Sequence, residues 1–365
     1  NCTQLTSLKL ISCKALKNVD GLANCTQLTS MDLHYCWALE NVDALSGCTQ
    51  ITSLDLGSCP LQNVDGLANC TQLTSLNLRH CDALQNVDGL SNCTQLTSLD
   101  LSGCPSLENV DGLANCTQLT SLNLDSCEAL QNVDGLANCT QLTSLKLGSC
   151  YSRPSAYCSA LQNVDGLAGC TQLTELDLSN CSSLQNVDVL ANCTQLTSLK
   201  LSRCNEVSPQ PPQSNMSTRE EVAAYQDKIR IFMALRDGDS LAEFKDITSL
   251  DLSGCGFLQN VDVLANCTQL TSLDLGECEA LQNVGGLADC TALTSLDLRL
   301  CNALQNVDGL ANCTQLTSLD LSECGSLESV DGLANCTQLT NLDLTRCDQL
   351  DVPPCQDRLG TRAQV

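Results

Sequence analysis

The chain has 365 residues; aromatics make up 2% of them, and 17 basic against 42 acidic residues leave a formal charge of −25. So acidic a surface argues against nucleic acid or an anionic membrane as the main partner, and no apolar run approaches the roughly 20 residues of a membrane span. A single globular core of this length would be large, whereas a solenoid adds core one coil at a time; with so few aromatics, leucine, valine and cysteine must fill it.

The chain opens on "NCTQLTSL" and returns to that phrase along its length, with an interval of 23 residues and a few exceptions. A fixed period in this range marks a repeat architecture. Fourteen units follow one another, starting at Leu5, Leu28, Ile51, Leu73, Leu96, Leu119, Leu142, Leu173, Leu196, Ile247, Leu270, Leu293, Leu316 and Leu339. One of them reads "LTSLDLSGCPSLENVDGLANCTQ", from Leu96 to Gln118. Its leucines at positions four and six alternate with the period of a strand, whereas Leu107, Val110, Leu113 and Cys116 are spaced three apart, as in short 3₁₀ turns. Each unit is therefore predicted to form one coil of strand, turn and short helix. The chain begins inside a repeat, without an initiator methionine or signal peptide, and is expected to be a fragment or processed form of a longer one.

The strand pattern "LxxLxLxxCxxL" resembles that of the leucine-rich-repeat family. The later half, "NVDGLANCTQLTSL", is most similar to the short repeats of the internalins and the phosphatase-regulating leucine-rich proteins. Cysteine in the family's usual asparagine slot resembles the cysteine-containing repeats of F-box proteins and the cysteine-ladder internalin. The resemblance implies an α/β, right-handed solenoid over residues 1–350, horseshoe or arc, with a parallel β-sheet on the concave face and short 3₁₀ or helical turns on the convex face. Residues 351–365 remain as a tail or cap. Such a resemblance specifies fold and says little of function.

Of 29 cysteines, fourteen stand at the ninth position and thirteen at the twenty-first, with Phe244 as the fourteenth occupant of that second column. Interchange with phenylalanine predicts buried, reduced thiols. A disulfide ladder would demand one strained crosslink in every coil, and zinc lacks a CxxC pair or a cysteine–histidine cluster. Cys158 and Cys355 fall outside both columns, and a bridge from each to Cys150 or Cys347 stays open. Buried thiols suit a reducing intracellular compartment such as the cytoplasm. Against this, "NCT" is a glycosylation acceptor in ten units, so a secreted or extracellular origin is the alternative.

Threonine fills the second position in all fourteen units and the twenty-second in thirteen, which predicts two hydroxyl ladders bonded to turn backbones. A lattice of ice type is the sharper reading of the same columns. The aspartate of "NVDG" is expected to N-cap the short helix. His34 and His80 lie at strand ends with no acid or nucleophile assigned to them by the repeat, and no Walker loop, nucleophile elbow or metalloprotease helix is present. The chain is accordingly expected to be no enzyme and to need no cofactor or metal.

Two insertions break the period: residues 151–158, after Cys150, and 205–240, which lengthen their coil by 28 residues. The second starts "SPQPPQ" and continues as an amphipathic helix, with a capping box at Ser217 and Glu220, an apolar face of Val222, Tyr225, Ile229, Phe232 and Met233, and a stop at Gly238. It is expected to cover the solenoid's flank.

At the fifth position, expected to face the concave, partner-binding surface of the sheet, the copies differ. Asp251, Asp274, Asp297, Asp320 and Asp343 form an acidic run that would attract cations or basic protein segments, whereas Lys146 and Lys200 flank Asp177 in the units bearing insertions. With Tyr151, Arg153, Tyr157 and Arg203 nearby, units seven to nine are predicted to form a mixed aromatic and charged partner site. The expected function is a protein-binding scaffold, part of a larger chain or assembly; a secreted recognition or adhesion ectodomain and an ice-type lattice binder are the alternatives.

Overall fold

The computed structural model describes residues 2–148, 160–237 and 244–350. The chain divides into two compact units, Asn1–Gln226 and Asp227–Val365. In the first, nine three-residue strands follow in chain order: β1 (Ser7–Lys9), β2 (Ser30–Asp32), β3 (Ser53–Asp55), β4 (Ser75–Asn77), β5 (Ser98–Asp100), β6 (Ser121–Asn123), β7 (Ser144–Lys146), β8 (Glu175–Asp177) and β9 (Ser198–Lys200). All pair in parallel with like positions opposite, as Ser98↔Ser121 and Leu99↔Leu122 do. The coil of β3 is one residue short, yet Ser53 still faces Ser75, so the deletion is absorbed in the turn after Cys59. The second unit holds a five-stranded parallel sheet: β11 (Ser249–Asp251), β12 (Ser272–Asp274), β13 (Ser295–Asp297), β14 (Ser318–Asp320) and β15 (Asn341–Asp343). The expected parallel ladder with short 3₁₀ turns is thus present in both units.

Eight inward positions fill each coil. In the fifth, Leu96, Leu99, Leu101, Cys104, Leu107, Val110, Leu113 and Cys116 are all at most 2% exposed. The thiols do more than occupy volume. Cys104 Sγ donates to the carbonyl of Leu78 in the preceding coil at 3.3 Å, and Cys116 Sγ reaches the carbonyls of Leu90 and Cys93 at 3.7 and 3.6 Å. A buried carbonyl between two coils needs a donor; cysteine supplies one at nearly apolar cost. Burial, the largest influence, pushes the Cys116 thiol up to about 12 and that of Cys93 to about 11.

Threonine at the second position behaves as a hydroxyl ladder on backbone: Thr120 Oγ1 donates to the carbonyl of Thr97 at 3.0 Å, and Thr317 to that of Thr294 at 2.9 Å. The asparagine of "NCT" is similarly engaged, with Asn115 Nδ2 donating to the Ser91 carbonyl at 3.1 Å. The aspartate of "NVDG" departs from expectation. Asp111 opens its 3₁₀ turn as a helical residue and makes no side-chain cap; the cap position belongs to Val110. The side chain that closes the bend is Asn109, whose Oδ1 accepts the Asp111 amide at 3.2 Å. An Asx turn two residues long is the tighter geometry available to "NVD".

Glycine follows that aspartate because the coils touch there through their backbones. A Cβ on Gly112 would stand 2.5 Å from the carbonyl carbon of Val87 and 2.8 Å from the Asp88 Cα. Where the position is Ala44, Val189 or Val263, the 3₁₀ turn spans five residues instead of three.

The second insertion ends the first parallel sheet. Its coil keeps Val207 in the core, and Ser208 still bridges Asn186. Then β10 (Asn215–Met216) pairs antiparallel to β9, and the Ser214 carbonyl accepts the Leu201 amide at 2.7 Å. Helix α1 (Arg219–Asp237) follows. Its capping box lies one residue later than expected: Thr218 Oγ1 accepts the Glu221 amide at 3.2 Å, and Glu221 Oε2 accepts the amides of Ser217 and Thr218 at 2.8 and 3.1 Å. The shift puts Glu221 at the third helical position, where its side chain reaches back, while Val222 and Tyr225 turn inward.

Nor does α1 lie along a flank. Its first turns close the end of the first unit: Gln226 Nε2 donates to the carbonyls of Leu190 and Cys193 at 2.7 and 2.9 Å. These are the two carbonyl positions that a twenty-first-position cysteine serves elsewhere, so the amide takes the part of the thiol that coil nine lacks. Arg219 Nη1 holds Gln226 Oε1 at 2.9 Å, and the buried Tyr225 hydroxyl donates to the Pro209 carbonyl at 2.8 Å. In the second unit, Ile231 and Phe232 join the apolar core with Leu250 and Leu252. Met233 is half-buried, and Gly238 lies outside the described residues.

Candidate functional site

The fifth position of each coil is where the strand ends, and where it is aspartate or asparagine its side chain closes the exit turn. Asp100 Oδ1 accepts the Ser102 amide at 2.9 Å, Asp274 that of Gly276 at 2.9 Å, and Asn77 that of Arg79 at 3.0 Å. Aspartate and asparagine both form this bond, which explains why the column is filled mainly by the two. Three positions later the backbone is left-handed in every described coil, with φ between 56° and 73°.

The acidic run lies in register from Asp251 through Asp274, Asp297 and Asp320 to Asp343. Its members are not equivalent. Asp251 meets the buried Lys228 Nζ of α1 at 2.9 Å. Burial alone would raise its pKa, but hydrogen bonds from Ser253 and Lys228 bring it below the ordinary carboxylate value. Asp297 goes the other way, raised by burial and by the charges of Asp274 and Asp320 on either side. Asp343, at the outer strand, is lowered by its hydrogen bonds from Thr345.

In the first unit Asp177 stands in register between Lys146 and Lys200. Lys200 Nζ meets Asp177 Oδ2 at 3.0 Å, so one of the two lysines neutralises the acid beside it. Arg203 is exposed at the left-handed exit position, with φ 62°. Tyr151, Arg153 and Tyr157 lie outside the described residues, as do Cys150, Cys158 and Cys355.

A second locus escaped the sequence reading. Among the described residues, large hydrophobics are exposed at Ile11, Tyr35, Trp37 and Phe257, and three of these four belong to the first two coils. Tyr35 and Trp37 pack edge to face with centroids 6.5 Å apart, His34 meets Tyr35 at 4.9 Å, and Lys14 Nζ sits 4.6 Å from the Trp37 ring centre. The signal was the stretch "HYCW", which holds the chain's single tryptophan and one of its two histidines.

His34 is not without an acid partner, as had been expected. Its Nδ1 lies 2.6 Å from Asp32 Oδ1, which also accepts the His34 amide at 3.3 Å. Fifth and seventh positions are brought together by the exit turn, a proximity that the repeat pattern alone does not reveal. A cavity of about 130 Å³ adjoins them, lined by His34, Tyr35, Asp55, Asn77, Arg79 and His80 among others. No described helix is long and apolar enough to cross a membrane.

Family models match along the chain. The leucine-rich-repeat domain of endo-beta-N-acetylglucosaminidase EndoS matches residues 49–134, the BspA-type leucine-rich repeat region residues 115–229, a single leucine-rich repeat 266–288, and a two-copy leucine-rich repeat 291–335. No curated protein matches the sequence. Similar solved structures include an internalin (inlF) from Listeria monocytogenes, 20% identical, covering 90% of this chain and 77% of that one with a TM-score of 0.44. Another is the functional domain of InlJ from the same organism, which includes a cysteine ladder; it is 20% identical over 96% and 67% of the chains, with a TM-score of 0.43. A leucine-rich-repeat protein of Leptospira interrogans is 15% identical over 95% and 83%, with a TM-score of 0.42.

Proposed function

The chain belongs to the leucine-rich-repeat family, and from that premise we propose that it is a non-enzymatic scaffold that binds a protein partner. The observation that carries this reading is the Tyr35–Trp37 pair, with Trp37 56% exposed in a molecule whose aromatics are 2% of its residues. An exposed tryptophan packed edge to face on tyrosine, with Ile11 exposed in the preceding coil and Arg79, two coils on, lining the same cavity as Tyr35, has the composition of an interface anchor. The net charge of −25 and the register of Asp274, Asp297 and Asp320 favour a partner with basic segments, which they would steer rather than anchor.

Units seven to nine are a second contact region in this proposal. Lys146 and Lys200 around Asp177, with Arg203, reverse the charge of the column, and Tyr151, Arg153 and Tyr157 belong to the same insertion-bearing coils. The Asp251 end of the acidic run contributes less than the rest because Lys228 already compensates it. A reducing intracellular compartment suits thiols that serve as buried donors, and the engaged Nδ2 of the "NCT" asparagines argues against glycans there.

Affinity capture from source cells, followed by titration of the captured protein, tests the proposal. Tyr35→Ala with Trp37→Ala should weaken binding at least tenfold, and Asp274→Asn, Asp297→Asn and Asp320→Asn together should reduce its dependence on salt. Unchanged affinity in the aromatic double variant would remove the anchor, and with it this reading.

A further inference from the structure

The first unit carries a constellation that the scaffold reading does not use. Asp32 and Asp55 lie opposite each other on β2 and β3, and His34 follows Asp32 by two residues. One donor atom from each of Asp32, His34 and Asp55 lies within 4.8 Å of the other two, and all three residues are half-buried. In the coil of Asp55 the position matching His34 is Gly57, so no side chain separates the imidazole from the second carboxylate. A Cβ on Gly57 would stand 3.2 Å from Asp55 Oδ1 and 3.4 Å from Asn77 Nδ2. Asn77 Nδ2 also donates to Asp55 Oδ2 at 3.1 Å, which orients that carboxylate from outside.

We propose that Asp32, His34 and Asp55 form a binding site for a divalent transition-metal ion of zinc type. Donors about 2.0–2.2 Å from one ion lie within about 4.4 Å of each other, so the three groups close on an ion by a small side-chain movement. One imidazole nitrogen and two carboxylate oxygens suit a borderline ion; calcium and magnesium would demand more oxygens than the cluster holds. The cavity of about 130 Å³ beside His34 and Asp55 leaves room for water in the remaining coordination positions. The acidic run from Asp251 to Asp343 places no histidine in register, so a borderline ion separates the two loci. Neither Tyr35 nor Trp37 supplies a donor atom to this site, although the Tyr35 ring packs against His34.

Titration of the reduced chain with Zn²⁺ by calorimetry, repeated with Co²⁺ by visible absorption, decides the matter. One ion per chain is expected, with affinity falling at least tenfold in His34→Ala and in Asp55→Asn; asparagine keeps the exit-turn acceptor, so the second variant should fold as the parent does. The combined Asp274→Asn, Asp297→Asn and Asp320→Asn variant should bind like the parent. Absence of a saturable site in the parent, parental affinity in both His34→Ala and Asp55→Asn, or the intense near-ultraviolet bands of Co²⁺ on thiolate would each overturn the proposal.

Discussion

At the residue scale the coil is governed by what its neighbour permits. Gly112 has the carbonyl of Val87 in the place a Cβ would take, whereas the equivalent Gly21 of the first coil has nothing within 4 Å of its would-be Cβ. The two positions share sequence, turn type and exposure to the same helix propensity, so they differ only in the presence of a preceding coil. Gly112→Ala is therefore expected to destabilise the first unit by about 1–3 kcal/mol through overpacking. Gly21→Ala should be neutral or slightly stabilising, since it only restricts the unfolded chain. Urea unfolding of both variants checks this. Equal effects would mean that the glycine column reflects backbone conformation and not close approach.

At the scale of elements, α1 shows how a repeat ends without another repeat. Coil eight leaves the carbonyls of Leu190 and Cys193 needing a donor, and Gln226 meets both through one amide nitrogen. Removing it exposes the asymmetry of buried hydrogen bonds: two acceptors lose their donor while no water replaces it. Gln226→Ala should cost about 2–4 kcal/mol, and Gln226→Glu at least as much, because a carboxylate cannot donate. A variant within half of the lower figure would show that burial of Val222 and Tyr225 alone holds the helix. The same helix supplies Lys228 to Asp251, so the insertion both closes one unit and adjusts the charge of the other's acidic run.

At the scale of the molecule, the two thiol columns tie stability to pH. Burial raises Cys59, Cys70, Cys116 and Cys170 from 9.0 to about 12, and Cys290 to about 11. Above pH 9 an unfolded chain releases these protons and the folded one retains them, so stability falls as pH rises. The contribution is complete below pH 9 and is lost as pH approaches about 12. Each such thiol weakens the fold by about 1.4 kcal/mol per pH unit in that window, and because many act together the midpoint of urea unfolding should drop steeply between pH 9 and 10.5. A flat profile there would mean that the columns are open to solvent. Most of this architecture was legible beforehand, because a 23-residue period imposes one environment on every copy: the strands, the 3₁₀ turns, the inward leucines and both cysteine columns follow from spacing alone. Spacing was blind to groups that lie apart in sequence or depart from the repeat. The reach of Gln226 to Leu190 spans 36 residues, the cap at Thr218 depends on which carboxylate can fold back, and Asn109 displaced Asp111 as the turn's acceptor through bend geometry. The meeting of Asp32, His34 and Asp55 depended likewise on a strand pairing that sets two coils side by side and on a glycine that leaves the space between them open. Periodicity specifies what is common to the coils, whereas chemistry particular to one coil arises from contacts with its neighbours, which exist only once the chain has stacked.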